Sequence, residues 1–226
     1  MTGSSDSSTY SNAGSKMSED AFIKRFGEVR CSAILRCRDT HMARVAMQAA
    51  MAGGFTICEF TFTIPGVLEL ISEFAKLPGL IVGAGTVLTR EDAQRAVDHG
   101  ASFLVSPVVD AEIIAEAKEL GVAMMPGCAT PTEMLKAHRA GASLQKLFPA
   151  PGTGPLWVAQ TIAPMPFLRI VPTSGVTLEN AVAYLKAGSF AVGFVSSLFD
   201  SQDLEAGRFE AITKRAANMI AAVKNA

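Results

Sequence analysis

Lys146 stands inside Leu144-Gln145-Lys146-Leu147-Phe148-Pro149, a short apolar run with turn-forming flanks. A run of this length reads as a buried strand, and an amine buried there must be neutral or partnered. Desolvation lowers a lysine pKa from about 10.4 toward the operating pH, and the neutral amine is a nucleophile that can form an imine with a ketone. A carboxyl occupies a comparable place. In Cys58-Glu59-Phe60-Thr61-Phe62-Thr63 the alternation puts Glu59, Thr61 and Thr63 on one face and Phe60 and Phe62 on the other. The same parity groups Ser32, Ile34 and Arg36, then Val82, Ala84 and Thr86, then Leu144, Lys146 and Phe148. If the polar faces look inward, one acid, one guanidinium, one hydroxyl and one amine converge. Plain structural roles are the alternatives: a buried Glu59–Lys146 ion pair, Arg36 as a surface residue at a strand end, and Thr86 as a turn cap.

The elements that must position these residues alternate at a steady spacing. Strands are expected over residues 32–36, 57–62, 80–84, 103–106, 123–126, 144–148, 168–171 and 190–194. Helices are expected over residues 40–52, 66–76, 89–99, 110–120, 131–140, 154–162 and 178–187, with a last helix over 204–224. Several open on capping chemistry, among them Thr89 before Glu91 and Asp92, and Thr130-Pro131-Thr132-Glu133. Strand and helix taking turns in this way indicates an α/β fold of the (β/α)8 TIM-barrel type, with a doubly wound open sheet as the alternative. In a barrel, chemistry gathers at the carboxyl ends of the strands.

Composition narrows the partners. The chain has 226 residues, 49% of them hydrophobic, which is material for one sizeable core. With 18% charged residues and a net charge of -1, nothing in its electrostatics calls for nucleic acid or an anionic membrane. Four cysteines lack CxxC spacing and three histidines are scattered, so a reduced, cytoplasmic, metal-free protein is expected. Gly83-Ala84-Gly85-Thr86-Val87-Leu88 lacks the third glycine of a dinucleotide fingerprint, which speaks against a nicotinamide cofactor. Residues 1–17, rich in Ser, Thr and Gly, read as a disordered tail rather than a targeting signal, and residues 18–226 as a single domain. No apolar run approaches the roughly 20 residues that span a bilayer.

With those residues set out, the chain resembles the 2-keto-3-deoxy-6-phosphogluconate (KDPG) and 4-hydroxy-2-oxoglutarate (KHG) aldolase family. The stretches that carry the resemblance are Ala33-Ile34-Leu35-Arg36, Ala52-Gly53-Gly54, Glu59-Phe60-Thr61-Phe62-Thr63-Ile64-Pro65, Gly83-Ala84-Gly85-Thr86-Val87 and Ser106-Pro107. Further along come Met125-Pro126-Gly127, Thr130-Pro131-Thr132-Glu133, Lys146-Leu147-Phe148-Pro149 and Val171-Pro172-Thr173. Their shared order and spacing carry the signal.

The resemblance implies a class I aldolase of carbohydrate metabolism, usually a homotrimer. It would cleave a 2-keto-4-hydroxy acid, KDPG or KHG, to pyruvate and an aldehyde without cofactor or metal. By analogy Lys146 is the Schiff-base lysine and Glu59 the general acid/base. Arg36 and Thr86, with the backbone of Gly85, would bind the pyruvate carboxylate, and Pro107 and Phe148 would shape the pocket. Many members carry an arginine where this chain has Thr63, while others pair a threonine there with an arginine at the end of the first strand, as Arg36 allows. The family's phosphate loops typically read Thr-Gly-Gly and Gly-x-Gly-Ser. Here they read Thr173-Ser174-Gly175 and Gly193-Phe194-Val195-Ser196. Gly175, Ser196 and Ser197 remain as anion-binding candidates, and an unphosphorylated acid gains weight from Ser174 and Val195. Decarboxylation of a β-keto acid such as oxaloacetate through the same imine, and a non-catalytic keto-acid-binding barrel, are the rival functions.

Overall fold

The structure, a computed structural model, describes residues 17–226. The expected tail lies outside the described residues except for Met17, which packs against the inner hydrophobic cluster.

Eight parallel strands form the centre: β1 (Cys31–Leu35), β2 (Ile57–Thr61), β3 (Ile81–Gly85), β4 (Phe103–Ser106), β5 (Ala123–Cys128), β6 (Gln145–Leu147), β7 (Ile170–Pro172) and β8 (Val192–Phe194). Their spatial order is β7-β6-β5-β4-β3-β2-β1-β8, so the last strand returns to the first. Phe190 N donates to Ile170 O at 2.9 Å and narrows the gap between β7 and β8. The sheet is a nearly closed (β/α)8 barrel, and the doubly wound alternative falls away. A helix α1 (Glu19–Val29) precedes the barrel. Then α2 (Thr40–Ala52), α3 (Val67–Phe74), α4 (Arg90–Asp98), α5 (Ala111–Glu119), α6 (Pro131–Arg139), α7 (Pro155–Ile162) and α8 (Leu178–Lys186) each follow a strand, and α9 (Ser201–Glu205) and α10 (Phe209–Lys224) close the chain.

Local chemistry sets the helix starts. Asp39 accepts from Met42 N at 2.6 Å and Thr89 from Asp92 N at 3.0 Å, each satisfying a donor that the first turn leaves open. Thr130 and Glu133 close a capping box with Pro131 in the first turn of α6.

Alternation in the strands divides the apolar residues into two layers. Cys31, Ala33, Leu35, Cys58, Phe60, Val82, Ala84 and Leu147 meet the helices, while Ile57, Ile81, Phe103, Val105, Met125, Leu144 and Val171 fill the barrel. Phe22 and Phe26 of α1, each 1% exposed, complete the inner layer, with Phe22 stacked on Phe103 at 4.5 Å. The Ser143 hydroxyl donates to Glu19 and anchors the start of this plug.

Three expectations need correction. Val82 and Ala84 face the helices rather than the axis, because the inward positions of β3 are Gly83 and Gly85. A Cβ on Gly83 would overlap the Phe103 ring, so neighbouring side chains fill the space that β3 leaves. The expected last helix is two: Gly207, at φ 65°, ends α9 in a left-handed turn before α10 begins. Finally, the sequence pattern places no element before β1, whereas α1 occupies Glu19–Val29 there.

Candidate active site

The strand carboxyl ends open onto a cavity of about 140 Å³. Ile34 and Arg36 reach it from β1, and Lys146 and Phe148 from β6. Thr173, Ser174 and Gly175 follow β7, and Val195 and Ser196 follow β8. Seven of these nine are residues expected at the site. Ile34 and Val195 are the additions, and the shared parity of Ile34 with Arg36 was the signal for the first.

Lys146 is 7% exposed, with its ammonium nitrogen 5.2 Å from the centre of the Phe148 ring. Its strand neighbours in register are Gly127 and Val171, neither able to bond to it through a side chain. Burial pushes the Lys146 pKa down; Glu59 opposes that shift and Arg36 adds to it. Glu59 is 1% exposed, and burial pushes its pKa up while Lys146 and Arg36 pull it back. Each therefore leans toward its neutral form. Glu59 Oε1 is buried without a hydrogen-bond partner, and the ion pairs within 4.0 Å among the described residues do not include this couple. The structural ion pair is not what the two residues form. Glu59 lies against β3, where a Cβ on Gly85 would overlap its carboxylate.

Thr86 leaves the strand alternation at φ 61°, a left-handed conformation unusual for a β-branched residue. Bonds on either side hold it: Phe62 N donates to Gly85 O at 2.8 Å and Val87 N to Val105 O at 3.0 Å. Thr63 is exposed, and its hydroxyl pairs at 2.7 Å with that of buried Thr61. Pro107 lines an adjoining cavity that shares Phe148 with the first. Ser197 does not line the Lys146 cavity, because its hydroxyl donates to Val176 O at 2.6 Å and ties two loops together.

The family model for KDPG and KHG aldolase matches residues 23–215. The chain belongs to this aldolase family. It is 37% identical over 170 residues to a probable 2-dehydro-3-deoxy-6-phosphogalactonate aldolase of Rhizobium meliloti, a match covering 74% of this chain and 80% of that one. It is 32% identical over 179 residues to the KHG/KDPG aldolase of Escherichia coli K12, covering 78% and 84%. A solved native KDPGal structure superposes with a TM-score of 0.77 at 30% identity, over 86% of this chain and 94% of that one. The protein is an aldolase, and so a lyase.

In this aldolase the loops after β7 and β8 carry hydroxyls. Thr173 is 2% exposed and its Oγ1 has no hydrogen-bond partner. A third cavity of about 320 Å³ shares Arg36 with the first and is lined by Cys37, Arg38 and Met42 together with Leu204 and Glu205. All four cysteines are unpaired; Cys31, Cys58 and Cys128 are buried and Cys37 is half-buried. Among the described residues no three His, Cys, Asp or Glu side chains gather as metal ligands, and no helix is long and apolar enough to cross a membrane.

Proposed function

We propose that this aldolase cleaves a 2-keto-4-hydroxy acid, the kind of substrate named in its KHG/KDPG relative, through an imine on Lys146. The observation that carries the reading is a lysine buried at a strand centre, biased toward the neutral amine, in one cavity with a guanidinium.

The neutral amine adds to the C2 ketone, the carbinolamine loses water, and a protonated imine results. Glu59, as carboxylate, accepts the proton of the C4 hydroxyl. The C3–C4 bond then breaks, its electron pair moving into the imine to give an enamine, and the aldehyde departs. A proton returned to C3 regenerates the imine, and water releases pyruvate and the free amine. Arg36 offers two parallel donors to the substrate carboxylate and fixes C2 toward the amine. The bare backbone of Gly85 lies against Glu59 and, with the left-handed turn at Thr86 that follows it, is read as the other side of that carboxylate site.

Incubation with pyruvate followed by borohydride tests the reading. Intact-protein mass is expected to rise by one reduced pyruvate unit, and Lys146→Ala to abolish the gain. An unmodified wild-type mass would leave a keto-acid-binding barrel instead. We further read the protein as a cytoplasmic homotrimer of carbohydrate metabolism. Four unpaired thiols suit a reducing compartment, and Leu88 and Val108, exposed apolar residues after β3 and β4, suit a subunit contact. Light scattering checks the trimer, and a monomer at micromolar concentration would contradict it.

A further inference from the structure

Arg36 is exposed, and among the described residues no ion pair within 4.0 Å includes its guanidinium. A long side chain free at its head is aimed by the backbone from which it departs. We propose that Thr61, a buried residue outside the lining of the Lys146 cavity, is a positioning residue for Arg36, and that Thr63 completes this contact instead of binding substrate. Resting on the reading of Lys146 as the imine-forming amine and Arg36 as the partner of the substrate carboxylate, this assignment adds how the guanidinium is aimed.

The paired register of β1 and β2 runs from Ala33–Cys58 to Leu35–Phe60 and stops one residue short of Arg36. At that point the Thr61 hydroxyl donates to Leu35 O at 3.3 Å. Leu35 O belongs to the peptide unit whose nitrogen is that of Arg36, so the bond orients the plane from which Arg36 leaves the strand. Thr61 is 1% exposed, and branching at its Cβ restricts rotation, which keeps the donor on that carbonyl. Strand β2 therefore carries the Glu59 carboxyl and, two residues on and on the same face, the group that sets Arg36.

Thr61 also meets Thr63, hydroxyl to hydroxyl, at 2.7 Å. Each hydroxyl has one proton, and a carbonyl oxygen only accepts. Only one arrangement places a proton in both contacts: Thr61 donates to Leu35 O and Thr63 donates to Thr61. The reverse would leave two oxygens facing each other across the buried Thr61–Leu35 contact with no proton between them. Bonds in such a chain polarise one another, so donation by Thr63 strengthens the longer bond to Leu35. With its proton committed inward, the exposed Thr63 oxygen has only lone pairs to offer. Lone pairs repel a carboxylate, so Thr63 serves the Arg36 site from behind.

The aim of Arg36 matters to the reacting groups as well as to the carboxylate. Apart from each other, Arg36 is the charge that acts on Lys146 and Glu59, and it pulls both pKa values down. A guanidinium released into solvent loses its grip on the carboxylate and lets both values rise.

The test is the rate of pyruvate trapping by cyanoborohydride, read by intact mass, in the nearly isosteric Thr61→Val. The pyruvate concentration for half-maximal trapping is expected to rise about three- to tenfold, the factor one ordinary hydrogen bond supplies, and the acid limb of the rate to move to higher pH. Thr61→Ser, which keeps the donor, is expected to restore both. Acetone, a ketone without a carboxylate, is expected to be trapped at the wild-type rate at a pH above that limb. In an Arg36→Met background Thr61→Val is expected to add nothing, because the two act as one unit. Thr63→Val leaves the bond to Leu35 in place and is expected to raise half-saturation by less than about threefold. An unchanged half-saturation in Thr61→Val, an equal loss with acetone, a further loss on top of Arg36→Met, or failed rescue by Thr61→Ser would overturn the proposal. So would a Thr63→Val loss larger than that of Thr61→Val, which would make Thr63 a direct ligand. Thr61→Ala is carried alongside and held to the same outcomes should Thr61→Val not fold. A wild type without any pyruvate adduct sinks the imine and this proposal with it, whereas an adduct that Thr61→Val leaves unaltered sinks this proposal alone.

Discussion

Burial shifts Lys146 and Glu59 in opposite directions, and both shifts act on the same limb of the pH profile. Cleavage needs Lys146 as free amine, whose pKa is lowered from 10.5, and Glu59 as carboxylate, whose pKa is raised from 4.5. Both forms appear as pH rises, so kcat/KM is expected to fall on the acid side, above the ordinary carboxylate range. A profile flat down to the ordinary carboxylate range would contradict the assigned roles. Glu59→Gln should reduce kcat by about 10²–10⁴-fold while pyruvate is still trapped on Lys146, more slowly, as intact mass will show. Stability follows the same shifts. Between the folded pKa of Lys146 and 10.5 the unfolded chain binds more protons, so stability lost at lower pH returns as pH rises through that window. For Glu59 the native chain binds more protons from 4.5 up to its raised pKa, and stability is lost as pH rises through that second window. Lys146→Met is therefore expected to raise the urea midpoint at neutral pH, with the gain shrinking as pH approaches 10.5.

Among the elements, β3 contributes by what it lacks. Glu59 can lie flat against this strand because position 85 has no side chain, and Gly85→Ala would push the carboxylate out of place. A displacement near 1 Å at a reacting group costs about a hundredfold, so kcat/KM of Gly85→Ala is expected to fall by that order. Undiminished kinetics would show that Glu59 is not held there. The two glycines also explain why β3 reads wrongly from the sequence. In β1, β2 and β6 the inward face carries Ile34, Glu59 and Lys146, and ordinary alternation identifies it. In β3 the inward face has no side chains, so Val82 and Ala84 are the only signal, and they belong to the outer layer. The site loops follow the same logic. Arg36, Lys146 and Thr173 are found by strand parity or motif, whereas the commitment of Ser197 to Val176 depends on a contact between loops that no spacing encodes. The helix α1 did leave a trace: Ser18 before two acids, then Phe22 and Phe26 four residues apart. The trace was hidden by its position beside the Ser-rich opening.

Taken whole, the molecule keeps closure at one end and chemistry at the other. The α1 plug meets Phe103 and Phe190 beneath the barrel, while the Lys146 cavity opens beyond the strand carboxyl ends. Phe22→Ala is expected to cost about 3–5 kcal/mol of stability, read by urea denaturation, with kcat of the folded fraction retained. A matching loss of kcat would show that the two ends are coupled. The placement of the thiols has a practical corollary. Burial drives Cys31 and Cys128 up to about 12 and Cys58 higher still, so three of the four are shielded from alkylating dyes. Cys37 is also shifted upward by burial and its thiol donates to Asp39 O, but it is only half-buried in the groove next to Arg36; labelled at alkaline pH, it is a native attachment point for a fluorophore whose emission would follow keto-acid entry in real time without an engineered cysteine.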